Sequence, residues 1–166
     1  MRIRPEKDSD LAAIRNIHIA AFANHPHSRQ TEHLIVDALR SAGALSVSLV
    51  AEVEGDVVGH VAFSPAWIDG QACGWFVLGP VGVLPELQRR GIGKGLIEDG
   101  LKILRDRRAQ GCVVLGNPAY YRRFGFRNNP ELILEGVPAE YFLCLPMAGE
   151  MPQGIVTHHT AFGVHA

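Results

Sequence analysis

The sequence predicts a mixed α/β fold of the α+β type, formed as one domain over residues 1–166. Three observations predict it. Two segments with helical periodicity open the chain. Strand-like segments separated by turn signals follow them. A glycine- and arginine-rich loop then joins a long apolar strand to a third helix.

Ile3 lies in a short opening strand. Asp8, Ser9 and Asp10 offer helix caps, and Leu11, Ile14, Ile17 and Ala21 recur at helical spacing. After the break at Asn24-His25-Pro26-His27, a second helix is expected from about Gln30. Its inner face carries Leu34, Ile35, Ala38 and Leu39, and Gly43 is placed to end it. Val47–Val53 and Val57–Phe63 read as strands about a Glu54-Gly55-Asp56 turn. Asp69-Gly70 marks another turn. Cys73–Leu84 is a long apolar strand whose Gly79-Pro80 and Gly82 predict a bulge or kink. These segments form an antiparallel meander. A helix from about Gly93 to Arg107 presents Leu96, Ile97, Leu101 and Leu104 inward. Gly111–Leu115 reads as a buried strand and Pro118–Arg123 as a short helix. Leu132–Leu134, Tyr141–Leu145 and Ile155–Phe162 are further strands, the last two expected to pair.

Composition narrows the function. With 16 basic against 17 acidic side chains, the net charge of -1 lacks the basic excess of a nucleic-acid partner. Cys73, Cys112 and Cys144 form no CxxC pair and sit among apolar neighbours, as buried thiols do. That usage implies a reducing compartment, hence a cytoplasmic protein. Met1–Pro5 shows no signal-peptide apolar region, and the uncharged run Gly70–Pro85 is interrupted by Gly and Pro, so no membrane partner is expected. His25, His27 and His33 cluster near one loop without ordered ligand spacing or a nearby Cys, so no metal site is expected.

The informative stretch runs from Val81 to Ile97. A strand enters a glycine-rich turn that opens a helix. The first amides of a helix lack internal partners, and its dipole puts partial positive charge there. Glycine lets backbone approach a ligand closely, so the turn suits phosphate or pyrophosphate. Arg89, Arg90 and Lys94 add cationic charge. The P-loop pattern fails, because Gly95 follows Lys94 and Gln88 stands where its first Gly belongs. The dinucleotide fingerprint fails at Leu96, where its third Gly is needed.

Gln88, Gly91 and Gly93 fit Gln-x-x-Gly-x-Gly, the pyrophosphate motif of the GCN5-related N-acetyltransferase (GNAT) superfamily, which this chain resembles. Ile3-Arg4-Pro5 with Asp10 resembles the family's start. Glu52, Gly55 and Val58-Gly59 resemble its second and third strands, and Tyr121-Arg122-Arg123-Phe124-Gly125-Phe126 its closing signature. The Leu115–Tyr121 run is similar to the YhbS-type branch. The resemblance spans roughly residues 1 to 145. It implies a mixed central sheet of about six to seven strands, mostly antiparallel with a splayed parallel central pair, flanked by about four helices.

It further implies acetyl-CoA as co-substrate and an amine as acceptor. Backbone near Val81, Gly82 and Val83 would hold the pantetheine arm. Gln88, Arg89, Arg90, Gly91, Ile92, Gly93 and Lys94 would hold the pyrophosphate, with Asn117, Tyr120, Tyr121 and Phe124 beside the coenzyme. Tyr121 takes the family's general-acid position, with Tyr120 as competitor. Asn117 stands only four residues before Tyr121, closer than in many relatives, which leaves its role open. The base is not legible. Glu52, Glu86 and His60 are candidates, and a water chain is an alternative. Phe22, Trp67, Trp75 and Phe76 are candidates for an acceptor pocket or for aromatic core. A small-molecule acceptor is the leading reading. A protein or peptide acceptor and a non-catalytic acyl-CoA sensor are the alternatives. Ile155–Phe162 suits either strand exchange in a homodimer or an intramolecular hairpin.

Overall fold

The computed structural model describes residues 1–164; His165 and Ala166 lie outside the described residues. The chain runs β1 (Arg2–Pro5), α1 (Leu11–Phe22), α2 (Glu32–Ser41), β2 (Val47–Val53), β3 (Asp56–Ile68) and β4 (Gln71–Val83). It continues with α3 (Ile92–Asp106), β5 (Gly111–Leu115), α4 (Pro118–Tyr121), β6 (Leu132–Ile133), β7 (Phe142–Pro146) and β8 (Gly154–His158). The strands form an eight-stranded sheet ordered β1-β2-β3-β4-β5-β7. β8 pairs with β3 beyond the end of β2, and β6 pairs with β8. The pairings along β1-β2-β3-β4 and β5-β7 are antiparallel, whereas β4 and β5 run parallel.

Two expectations about the later chain are corrected. β7 and the last strand do not pair; β7 lies against β5, and β8 against β3 and β6. The last strand ends at His158 and gives way to a 3-10 turn over Thr160–Gly163, whose Ala161 packs on Ile35 and Leu39 of α2. The sequence also suggested that β3 would end at Phe63, before Ser64-Pro65. It continues to Ile68 because Pro65 falls between the last residue paired to β2, Phe63, and the first paired to β8, Ala66. A missing N–H there costs no ladder bond to either neighbour.

Alternation along β3 separates the two helical layers. Gly59 faces α3, where an added Cβ would sit 3.0 Å from Ile92 Cγ2 and Leu96 Cδ1. His60 faces the other way, onto His18 of α1. Ile14, Val36 and Val50 join α1 and α2 to β2 on that second face. The larger core lies on the α3 side, with Phe63, Leu96, Ile97, Leu104, Phe126 and Leu143 fully buried.

Gly100 sets how closely α3 approaches the sheet. A Cβ there would sit 2.6 Å from Cζ of the buried Phe63 ring. We therefore expect Gly100→Ala to destabilise the protein by about 1–2 kcal/mol, despite alanine's better helix propensity. Urea unfolding checks this, and a gain in midpoint would contradict it.

Candidate active site

Parallel pairing of β4 with β5 covers only Trp75–Gly111, Phe76–Cys112 and Val77–Val113. The indole of Trp75 lies across Gly111, where a Cβ would come within 2.5 Å of Cη2. Beyond Val77 the ladder stops. The β3–β4 register shifts between Val61 and Phe63, opposite the expected irregularity at Gly79-Pro80, and that peptide bond is cis. Val81, Gly82 and Val83 thus lie on a stretch of β4 with no β5 neighbour. This is the splayed central pair.

β4 leads through a 3-10 turn at Pro85–Leu87 into the predicted loop. The Gln88 side chain donates from Nε2 to the Val83 carbonyl at 3.0 Å, which closes the loop on the strand it leaves. Arg89 and Gly91 hold positive φ of 64° and 85°. Gly91 is the N-cap of α3 and supplies no side-chain cap; a Cβ there would find nothing within 4 Å. The first-turn amides around Ile92, Gly93 and Lys94 therefore have no intrahelical acceptor and no capping side chain. Arg89, Arg90 and Lys94 are exposed around this end, and Lys94 reaches Glu98 at 2.7 Å.

α4 carries the aromatic residues to the same place. Asn117 caps it, its Oδ1 accepting from the Ala119 N–H at 2.9 Å. The Tyr120 hydroxyl lies 3.5 Å from where a Gly93 Cβ would be. The Tyr121 ring lies over Gly116 at the end of β5, with Cδ2 3.0 Å from a Cβ built there. Tyr120 meets Tyr121 and Phe124 edge-on, with centroids 5.1 Å and 5.5 Å apart. The Arg123 guanidinium lies 4.4 Å over the Tyr120 ring. Burial pushes both phenols above their ordinary value, so both are protonated at neutral pH.

The structure thus brings the predicted loop and α4 residues together, and it separates the base candidates. Glu86 is exposed on the 3-10 turn. Glu52 is bound to Arg4 at 2.6 Å, and Arg4 also pairs with the buried Asp10 at 2.7 Å. Trp75 is buried core, while Phe22 lies near His18 and His25. Among the described residues no group of three or more His, Cys, Asp or Glu is placed to hold a metal ion. His25 and His27 are exposed.

His60 lies in a contact the sequence did not disclose. Its Nδ1 lies 2.8 Å from Nε2 of His18, and its Nε2 lies 2.8 Å from Ser48 Oγ. Ser48 donates to Glu6, which Arg40 holds through bonds of 2.9 Å and 3.0 Å. His18 is 1% exposed and His60 0%. His18 also lines a cavity of about 290 Å³ with Ile19, Ala23, Gln30 and His33. The one signal for His18 was a histidine beside Ile17 on a helix otherwise rich in apolar residues. Its partner lies 42 residues away, beyond local periodicity.

The fold and loop are those of the GNAT acetyltransferases. A family model described as "Acetyltransferase (GNAT) domain" matches residues 44–128, and the chain belongs to that family. It is 36% identical over 109 residues to the Uncharacterized N-acetyltransferase YhbS of Escherichia coli (strain K12); the match spans 65% of each chain. A crystal structure of a GNAT family acetyltransferase from Brucella melitensis in complex with acetyl-CoA shares 50% identity over 97% of both chains, with TM-score 0.88. The structure of Escherichia coli YhbS in complex with CoA shares 28% identity, covers 99% of this chain and 93% of that one, and has TM-score 0.87.

Burial pushes His18 and His60 below their ordinary value; His33 adds to this for His18 and Arg40 for His60, while Glu6 and Asp10 oppose it. The half-buried His158 is lowered the same way. The unfolded chain therefore takes up protons first as pH falls. The stability of the neutral state is complete above about pH 6.5 and is lost below it, by up to about 1.4 kcal/mol per pH unit for each histidine. We expect the melting temperature to fall between pH 7 and pH 5, above the range where carboxylates titrate. A flat profile there would contradict buried neutral histidines.

Proposed function

We propose that this protein binds acetyl-CoA across the β4–β5 opening and transfers its acetyl group to a primary amine. The whole span 1–166 acts as one domain in this reading, in the cytoplasm. The observation that carries it is the continuity of the unpaired β4 edge with the uncapped N-terminus of α3. An extended pantetheine arm suits the first, and a pyrophosphate suits the second. Two similar structures are complexes with acetyl-CoA and with CoA, which supports that coenzyme as the ligand here.

In this reading backbone groups of Val81–Val83 bond the arm and polarise the thioester carbonyl. Amides from Arg89 to Lys94, with the Arg89 and Arg90 side chains, hold the phosphates. The neutral amine attacks the carbonyl carbon, the carbon–sulfur bond breaks, and the departing sulfur takes a proton from Tyr121. The raised pKa of Tyr121 keeps that proton available at neutral pH. Tyr120, packed toward Gly93, and Phe124 border the coenzyme. Asn117 serves through its cap, which sets the start of α4. The cavity bounded by Ile19, Ala23, Gln30 and His33 favours a small acceptor.

Calorimetric titration of acetyl-CoA tests the binding site. Gly91→Asn and Gly91→Glu share the demand for positive φ, which Asn tolerates better. Only Glu adds bulk and negative charge at the phosphates. We expect Asn to keep binding within about tenfold and Glu to abolish it. Equal binding by both would move the phosphates elsewhere.

Tyr121→Phe tests the acid. We expect kcat to fall about 100-fold with coenzyme affinity unchanged. An unchanged kcat, or the same loss in Tyr120→Phe alone, would remove Tyr121 from the role.

A further inference from the structure

The direction of every hydrogen bond in the Glu6–Ser48–His60–His18 chain is fixed from one end. Glu6 is held anionic: burial alone would raise its pKa, but the neighbouring His60 ring and the bonds from Arg40 and Ser48 outweigh that and bring it below the ordinary carboxylate range. A carboxylate only accepts, so Ser48 donates to it. The remaining contact of Ser48 Oγ, to His60 Nε2 at 2.8 Å, must then receive a proton from the ring. His60 thus carries its hydrogen on Nε2 and presents a lone pair at Nδ1. His18 Nε2, 2.8 Å away, must donate to it. That leaves His18 Nδ1 as a bare lone pair. It is buried and has no hydrogen-bond partner among the described residues.

An unsatisfied buried acceptor costs about 1–3 kcal/mol, so it calls for an explanation. Its position supplies one. An ideal Cβ at Gly82 would sit 2.9 Å from His18 Nδ1. Gly82 lies on the stretch of β4 without β5 pairing, and the ring of His18 also lines the cavity shared with Gln30 and His33. The lone pair therefore lies against the strand edge along which the thioester is placed in the reading above, on which this inference rests, and the ring that carries it borders the cavity. A Cβ at Gly82 would crowd the His18 ring, at 2.9 Å from Nδ1 and 3.2 Å from Cε1.

We propose that His18 is the base that takes the proton from the acceptor amine, and that His60, Ser48 and Glu6 form its relay. As the amine nitrogen bonds to the acetyl carbon, one N–H bond breaks and the proton joins His18 Nδ1. The Nε2 proton of His18 passes to His60 Nδ1, that of His60 Nε2 to Ser48 Oγ, and that of Ser48 to the Glu6 carboxylate. Each ring gains one proton and loses one, so the net transfer is one proton from amine to Glu6. Every link stays hydrogen-bonded with its direction reversed. The same shift in reverse resets the chain once product has left, the proton departing from His18 Nδ1 to a water molecule in the vacated site. Glu6 is 18% exposed, so the far end meets solvent, while both rings stay dry.

Two measurements on the full chain test this. Nitrogen-15 NMR of the imidazole rings reads the tautomers directly. We expect His18 to be protonated on Nε2 with Nδ1 bare, and His60 likewise; a hydrogen on His18 Nδ1 in the free protein overturns the assignment. The second follows coenzyme thiol release from acetyl-CoA with simple alkylamines and free amino acids, beside calorimetric binding of acetyl-CoA. His18→Ala should bind acetyl-CoA as the parent does, lose about 100-fold in kcat, and regain about tenfold with added imidazole, which fits the space left by the ring. Ser48→Ala, with the relay cut but the base retained, should lose about tenfold in kcat. Parent-like turnover by His18→Ala overturns the proposal while leaving the acetyltransferase reading intact. Failure of the parent to bind acetyl-CoA, or to release thiol with any amine, sinks that reading and removes the reaction His18 is assigned to.

Discussion

The arrangement depends on where β4 and β5 stop being neighbours. Trp75 lying across Gly111 fixes the closed end of the pair, and only three residues of each strand are matched before they part. A parallel pair that continued would use up the backbone groups of Val81–Val83 in the sheet. The shifted β3–β4 register at the cis Gly79–Pro80 bond turns the strand away instead. It also sets the direction in which the chain enters the loop before α3. The position of the uncapped end of that helix is thus a consequence of a defect in the ladder.

The parts of this design that were legible in the sequence are those carried by local chemistry. Gly91 was legible because its positive φ needs glycine, and Gln88 and Gly93 because they stand at fixed spacing from it. Gly79-Pro80 was legible because neither residue suits a regular strand. The α4 residues followed from the signature around Gly125-Phe126. What was not legible depended on distant partners. Pro65 reads as a strand breaker until β2 and β8 are seen to divide the edge of β3 between them. The last strand carries no mark of whether it will join β7 or β3. His18 and His60 each look like isolated residues, and only the packing of α1 on β3 joins them.

Two charged clusters on the same side of the sheet illustrate the difference between fastening and chemistry. Arg4 binds Asp10 through both carboxylate oxygens and Glu52 through Oε1. The cluster ties β1, β2 and the start of α1 together. The Glu6 cluster has similar membership, with Arg40 as its cation, yet it continues inward through two neutral rings and ends on an unused nitrogen.

The small residues beneath α3 have a further consequence for how the site meets its ligand. Gly59 and Gly100 let the helix settle directly on β3, with Phe63, Ile92 and Leu96 filling the interface. Its first turn is therefore locked by core packing rather than by anything bound to it. Under the proposed binding mode, phosphates arriving there would find donors already aligned, and the entropy lost in binding would fall on the ligand's flexible arm instead of on the protein. Preorganisation of this kind is written into two hydrogen atoms, one on each glycine, at positions that face the core.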